Sequence, residues 1–221
     1  MQTQIHFLKI DNKCLPSCFN ELLSVVSDRK QKYIHSLKFD IDKKLSLYSD
    51  IIVRYNAVCM LGITNSKLSF YYNCYGKPYL KNTKSFYFNI SHTRSAVAVV
   101  ISAEEVGVDI ERIIKAPFGV ARRCFAKDEI DYIFCDDVNS TKRFYEVWTK
   151  KEAYVKNMGK GLSIPTNSFS IFEIKQPIFS YERNDYIIAV CTRSIDKIIN
   201  RAIDEEQTIE LTRRLKDYHF N

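Results

Sequence analysis

The sequence predicts a mixed architecture of strands and helices, α+β or α/β, and three observations carry that expectation. Segments of helical and strand period alternate along the whole chain instead of segregating into blocks. Apolar residues make up 46% and charged residues 27%, ordinary for a globular protein, and only 6 Gly and 5 Pro leave little chain for linkers. At 221 residues the chain buries a proper core as one domain or as two closely packed halves.

Gln4–Ile10 alternates as an opening strand. Phe19–Lys38 then reads as a helix through Leu22, Leu23, Val26, Ile34 and Leu37, and Asp42–Leu61 as a second through Leu45, Tyr48, Ile52, Tyr55 and Val58. Ser66–Asn73 is a strand punctuated by the turn Gly76-Lys77-Pro78. In the β-rich centre, Phe86, Phe88 and Ile90 alternate with Tyr87 and Asn89. Ala96–Ile101 is a buried-type run, and Val106–Ile110 follows the charged turn at Glu104-Glu105. Phe118–Phe125 and Lys127–Cys135 are short helices. Thr141–Met158 is the longest helical segment, closed by Gly159-Lys160-Gly161 and Pro165. Strands at Ser168–Ile174 and Tyr186–Cys191 and a charged helix over Asp204–Tyr218 complete the pattern.

A formal net charge of +7 and a pI near 8.9 imply attraction to anions: nucleic acid, a membrane surface, a phosphorylated small molecule or an acidic protein. The basic residues are spread along the chain and no recognised nucleic-acid motif is present, so a broad positive field fits better than a nucleic-acid interface. No apolar run approaches a membrane span and no secretory signal precedes the first strand. The seven cysteines form no CxxC pair and the four histidines are scattered, which argues against zinc and for thiols in a reducing cytoplasm.

The residues that carry chemistry begin with Gly107-Val108-Asp109-Ile110-Glu111. Residues two apart on a strand share a face, so Asp109 and Glu111 present paired carboxylates that repel unless a positive group lies between them. The plain alternative is a pair of solvated acids at a strand end. Glu152 sits in the helical segment Trp148-Thr149-Lys150-Lys151-Glu152-Ala153 and shares a helix face with Trp148 and Lys156. Its plain alternative is a surface Glu–Lys pair. Lys151 points about 100° away from Glu152 around the helix. Three carboxylates from two elements suit a hard divalent cation, and adjacent lysines suit the phosphates such a cation would hold. Ser91 and His92 point to opposite strand faces, so they are no Ser–His nucleophilic pair, and a polar loop facing a phosphate is the more economical reading. Lys77, in a constrained turn, is either solvated or a point charge for a phosphate.

In order and together, these pieces resemble the Sfp-type 4′-phosphopantetheinyl transferases. The matching pieces are Gly76-Lys77-Pro78, Phe88-Asn89-Ile90-Ser91-His92-Thr93, the strand Gly107–Glu111, Phe125-Ala126-Lys127-Asp128-Glu129, and Trp148–Ala153 continuing to Lys156 and Gly159-Lys160-Gly161-Leu162. The resemblance implies an α+β fold of two similar halves about a pseudo-twofold, residues 1–110 and 111–221, with the site between them, acting as a monomer. It implies transfer of the 4′-phosphopantetheine arm from coenzyme A to a serine of an apo acyl or peptidyl carrier protein, releasing 3′,5′-ADP. It places Mg2+ on Asp109, Glu111 and Glu152, with Glu152 also helping to deprotonate the serine and Glu129 a weaker second candidate for that role. It assigns phosphate and nucleotide contacts to Lys30, Lys44, Lys77, Ser91, His92, Lys151 and Lys156. The loop Ile113–Ala126 is its expected carrier contact, and in residues 195–221 no motif of the family is placed. The alternative is a non-catalytic basic binder of coenzyme A or another polyanion.

Overall fold

The computed structural model describes residues 2–11, 13–193 and 198–217. Tyr218, the expected end of the last helix, lies outside them. Among the described residues the chain is α+β, with seven α-helices and three sheets.

The first sheet has the order β4-β5-β1-β9, built from β1 (Thr3–Lys9), β4 (Tyr87–His92), β5 (Ala96–Ser102) and β9 (Ile198–Ile203). The pair β2 (Phe70–Tyr72) and β3 (Pro78–Leu80) forms a small hairpin. The third sheet has the order β6-β8-β7, from β6 (Gly107–Arg112), β7 (Ile178–Arg183) and β8 (Tyr186–Cys191).

Strand alternation determines how the sheets stack. Ile5, Phe7, Ala96, Ala98 and Val100 from the first sheet pack against Val108, Ile110, Ile188 and Val190 from the third and against Val106 just before it. On the opposite face, Leu8, Val97, Val99 and Ile101 meet α1 (Phe19–Leu23), α2 (Asp28–Ser36), α3 (Asp40–Leu61) and α7 (Glu205–Asp217). Beyond the third sheet lie α4 (Phe118–Cys124), α5 (Lys127–Phe134) and α6 (Ser140–Met158). The layers therefore run helices, sheet, sheet, helices. Among the described residues no helix is long and apolar enough to cross a membrane.

Several elements differ from the sequence expectation. Phe19–Lys38 is two helices, because Ser24 donates to the carbonyl of Glu21 while Ser27 caps α2 by accepting from the Lys30 N–H. Val25 and Val26 between them turn into the core. Residues 66–73 hold a short 3₁₀ turn and only the three-residue β2. The strand expected at Ser168–Ile174 is a turn, and the strand is β7, further along. Strand β9 carried no clear pattern because it is an edge strand whose central residues are exposed, recruited in parallel register by β1. That pairing, with the packing of α7 on α3, returns the chain's last described elements to the sheet formed by its first residues.

His6 on β1 is 3% exposed, and burial, with Arg201 adding to it and Asn56 opposing, pushes its imidazole down to about 4. In the unfolded chain it titrates near 6.5. The unfolded state therefore binds the proton first, and stability falls as pH drops from about 6.5 through about 4. Between pH 7.5 and 5 this one group costs about 2 kcal/mol by linkage. Denaturant unfolding of His6→Leu should show a pH profile flatter than that of the wild type by that amount.

Candidate active site

The site forms where two sheet edges meet beneath a helix. β4 is the edge of the first sheet and β6 the edge of the third, and α6 packs across β6 and β8. On β6, Val108 and Ile110 face the first sheet, so Asp109 and Glu111 take the opposite parity, toward α6. Close approach of α6 requires glycine at 107: a Cβ there would lie 2.0 Å from the Ala153 carbonyl oxygen. Glu152 and Lys156 stand on α6 one turn apart.

Asp109 is 4% exposed. Its Oδ1 accepts from Ser91 Oγ at 2.8 Å and from Lys156 Nζ at 2.6 Å, and Lys156 Nζ also donates to Ser91 Oγ at 2.8 Å. Its Oδ2 is buried and has no hydrogen-bond partner. A buried carboxylate oxygen left without a donor is costly, and a cation is one partner that would satisfy it. Glu111 is pushed up to about 7 by burial and by the charges of Asp109 and Glu152, with Lys156 and the Trp148 indole opposing. Glu152 is raised by burial and by Asp109, with Lys156 opposing. Three carboxylates thus repel one another around a single ammonium.

The fit to a divalent metal rests on those features: hard oxygen donors, one of them orphaned, and excess negative charge. Among the described residues no three side chains already stand in ligand positions. The acids converge without being closed around a point.

Two cavities border β4, and the first includes one residue of the cluster, Glu111. One, of about 670 Å³, is lined by His92, Thr93, Arg94, Glu111, Arg112 and Tyr145, among others. The second, of about 620 Å³, is lined by Arg29, Lys30, Tyr33, Arg54 and Tyr72 with apolar neighbours. Burial lowers the Lys30 ammonium, with Asp50 opposing and Arg54 adding to the shift.

The structure brings together Asp109, Glu111, Glu152, Ser91 and Lys156, places His92 in the first cavity and Lys30 in the second. Four other expected residues are engaged elsewhere. Lys44 is buried with its ammonium 2.6 Å from Glu205 of α7. Lys151 donates to Glu129 Oε1 and Oε2 at 2.6 and 2.7 Å and to the Phe169 carbonyl at 2.6 Å, filling all three N–H positions. Glu129 is fully buried and also accepts from the N–H groups of Ala126 and Ile171, so it is not presented as a base. This ion pair also explains the missing strand at 168–174, since Phe169 and Ile171 spend backbone groups on it. Lys77 is buried against Glu105 and two carbonyls.

Sequence reasoning gave no role to Asn89, whose Oδ1 accepts from the Val108 N–H at 3.0 Å and ties β4 to β6 beside Asp109. Its signal was available: a polar residue two before Ser91, on the same face of an otherwise apolar strand.

Comparison with known proteins decides what this site belongs to. The chain is 35% identical over 179 residues to the 4′-phosphopantetheinyl transferase gsp of Aneurinibacillus migulanus, covering 80% of this chain and 75% of that relative. The chain belongs to the Sfp-type 4′-phosphopantetheinyl transferases. Family models agree: the 4′-phosphopantetheinyl transferase superfamily matches residues 105–212, and the 4′-phosphopantetheinyl transferase N-terminal model matches residues 13–105. Sfp of Bacillus subtilis (strain 168) is 31% identical over 67% of each chain, and psf-1 of Bacillus pumilus is 27% identical over 90% of this chain and 87% of its own. As a 4′-phosphopantetheinyl transferase, the protein is an enzyme that modifies carrier proteins with the phosphopantetheine arm. The candidate site draws on both large sheets and on α6, through β4 and β6.

Proposed function

We propose that the enzyme takes the 4′-phosphopantetheine arm from coenzyme A, attaches it to a serine hydroxyl of an apo acyl or peptidyl carrier protein and releases 3′,5′-ADP. The observation that carries this reading is the orphaned, buried Asp109 Oδ2 beside Ser91, Lys156, Glu111 and Glu152. Asp109, Glu111 and Glu152 would hold Mg2+, which when bound would neutralise the pyrophosphate and the charge that develops on it.

The serine oxygen attacks the β-phosphorus, the bond from that phosphorus to the bridging oxygen breaks, and the electron pair leaves with 3′,5′-ADP. Charge grows on the phosphoryl oxygens, where the Lys156 ammonium would act as donor, while Ser91, whose hydrogen goes to Asp109, accepts from Lys156 and orients it. Glu152, on α6 beside Asp109 and Lys156, accepts the serine proton. His92, in the cavity that includes Glu111, and Lys30, in the second cavity, would meet the nucleotide part of coenzyme A. The net charge of +7 favours approach of both polyanionic coenzyme A and an acidic carrier. We place the enzyme in the cytoplasm as a monomer, where its substrate and thiols fit.

The test incubates the protein with coenzyme A, Mg2+ and a panel of apo carriers, followed by mass spectrometry of each carrier. A gain of one phosphopantetheine arm on the serine of at least one carrier, lost on chelation of the metal, is the expected result. Absence of any gain across acyl and peptidyl carriers, with coenzyme A bound but unchanged, would leave the protein a binder and overturn the proposal.

A further inference from the structure

We infer that Lys77 is a positioning residue that holds β6 and α6 in register for the reaction proposed above, and not a contact to the phosphates of coenzyme A. An ammonium has three N–H groups. In Lys77 they go to Glu105 Oε2 at 2.7 Å, the Val106 carbonyl at 3.2 Å and the Asn157 carbonyl at 3.0 Å. The side chain is 6% exposed. No donor remains for a phosphate, and none of its acceptors is a solvent molecule that a substrate could displace.

The three acceptors lie in or directly before the two elements that carry the chemistry. Val106 immediately precedes Gly107, the first residue of β6, and Asp109 follows two residues later. Asn157 immediately follows Lys156 on α6. The carbonyls of the last helical turn lack intrahelical partners, and a cation there is favoured by the helix dipole. Lys77 supplies that cation from the β2–β3 hairpin and joins it to the start of β6.

Neighbouring bonds secure the same joint. Asn73 Nδ2 donates to the Gly159 carbonyl at 2.7 Å, and its Oδ1 accepts from the Lys77 backbone N–H at 2.9 Å. Asn157 Nδ2 donates to the carbonyls of Glu105 at 2.9 Å and Cys191 at 3.2 Å. The separation of Lys156 and Glu152 from Asp109 and Glu111 depends on how α6 sits along β6. A displacement of about 1 Å at a reacting centre costs up to about 100-fold in rate.

The experiment is steady-state kinetics of Lys77→Met/Glu105→Gln, a pair chosen so that no carboxylate is left stranded, at a temperature where circular dichroism shows it folded. We expect kcat to fall about 10-fold or more while KM for coenzyme A stays within about twofold. Adding Asn157→Ala should cost less than the product of the separate losses, because both act on one joint. A rise in KM at constant kcat would assign Lys77 to the phosphates and overturn the inference. So would a fall in melting temperature with both constants kept, which would make the contact purely structural. If the pair does not fold, Glu105→Gln alone, which keeps both carbonyl contacts, should lower kcat about threefold at constant KM by the same misplacement argument; an unchanged kcat overturns the inference. Because it rests on the proposed reaction, the wild type is run alongside: its failure to turn over would refute that reaction instead.

Discussion

Asp109→Asn is expected to lower the transfer rate by at least about 100-fold, the scale for removing a group that organises charge at a phosphoryl centre. The substitution keeps volume and an oxygen able to accept from Ser91, while removing the charge that Lys156 and a metal would answer. Stability should not fall with activity. Asp109 places a buried, partly unpaired carboxylate beside two others, so neutralising it relieves repulsion, and Lys156, 29% exposed, can turn its ammonium to water. The melting temperature should match or exceed that of the wild type. Carrier modification by mass spectrometry and thermal unfolding check the two halves of this expectation. A wild-type rate would remove Asp109 from the site.

Lys151→Met is expected to do the reverse: large loss of stability with affinity for coenzyme A retained. It strips the cation from a fully buried Glu129, and breaking one side of a buried pair typically costs about 3–5 kcal/mol. For a chain of this size that is a fall of roughly 10 °C in melting temperature. Glu129→Gln in the same chain should recover part of the loss, since it removes the stranded charge while its single amide oxygen keeps one of the two backbone N–H groups, of Ala126 and Ile171, that the carboxylate's two oxygens serve. Calorimetric titration of the folded fraction with coenzyme A separates this role from a phosphate contact. Weaker binding at an unchanged melting temperature would show that Lys151 faces the substrate.

These opposite expectations for two charged positions, both drawn from family-matching motifs, show how far sequence reading reaches. Local order was largely legible: the strands at β1, β4–β6 and β8 and the helices α3–α6 follow from apolar periodicity and from glycine stops such as Gly159, whose φ is 63°. The carboxylates Asp109 and Glu111 were legible because strand parity places them on one face. The same reasoning missed β9, because an exposed edge strand carries little pattern and is held by hydrogen bonds from β1.

Lysine roles were the part least available to sequence. Lys77, Lys151 and Lys156 are alike in composition and all lie in family-matching motifs. Their ammonium groups differ only in which acceptors the fold delivers: two carbonyls and Glu105 for the first, Glu129 and the Phe169 carbonyl for the second, Asp109 and Ser91 for the third.

By itself, then, the amino-acid sequence determined the family, with it the α+β class, and the shared strand face of Asp109 and Glu111, because motif order and strand and helix periods are local properties of the chain. Only the tertiary structure decided which charges are spent inside the protein and which face the site. That choice depends on acceptors distant in the chain, 65 residues for Lys156 and Ser91 and 80 for Lys77 and Asn157, and burial makes each pairing exclusive.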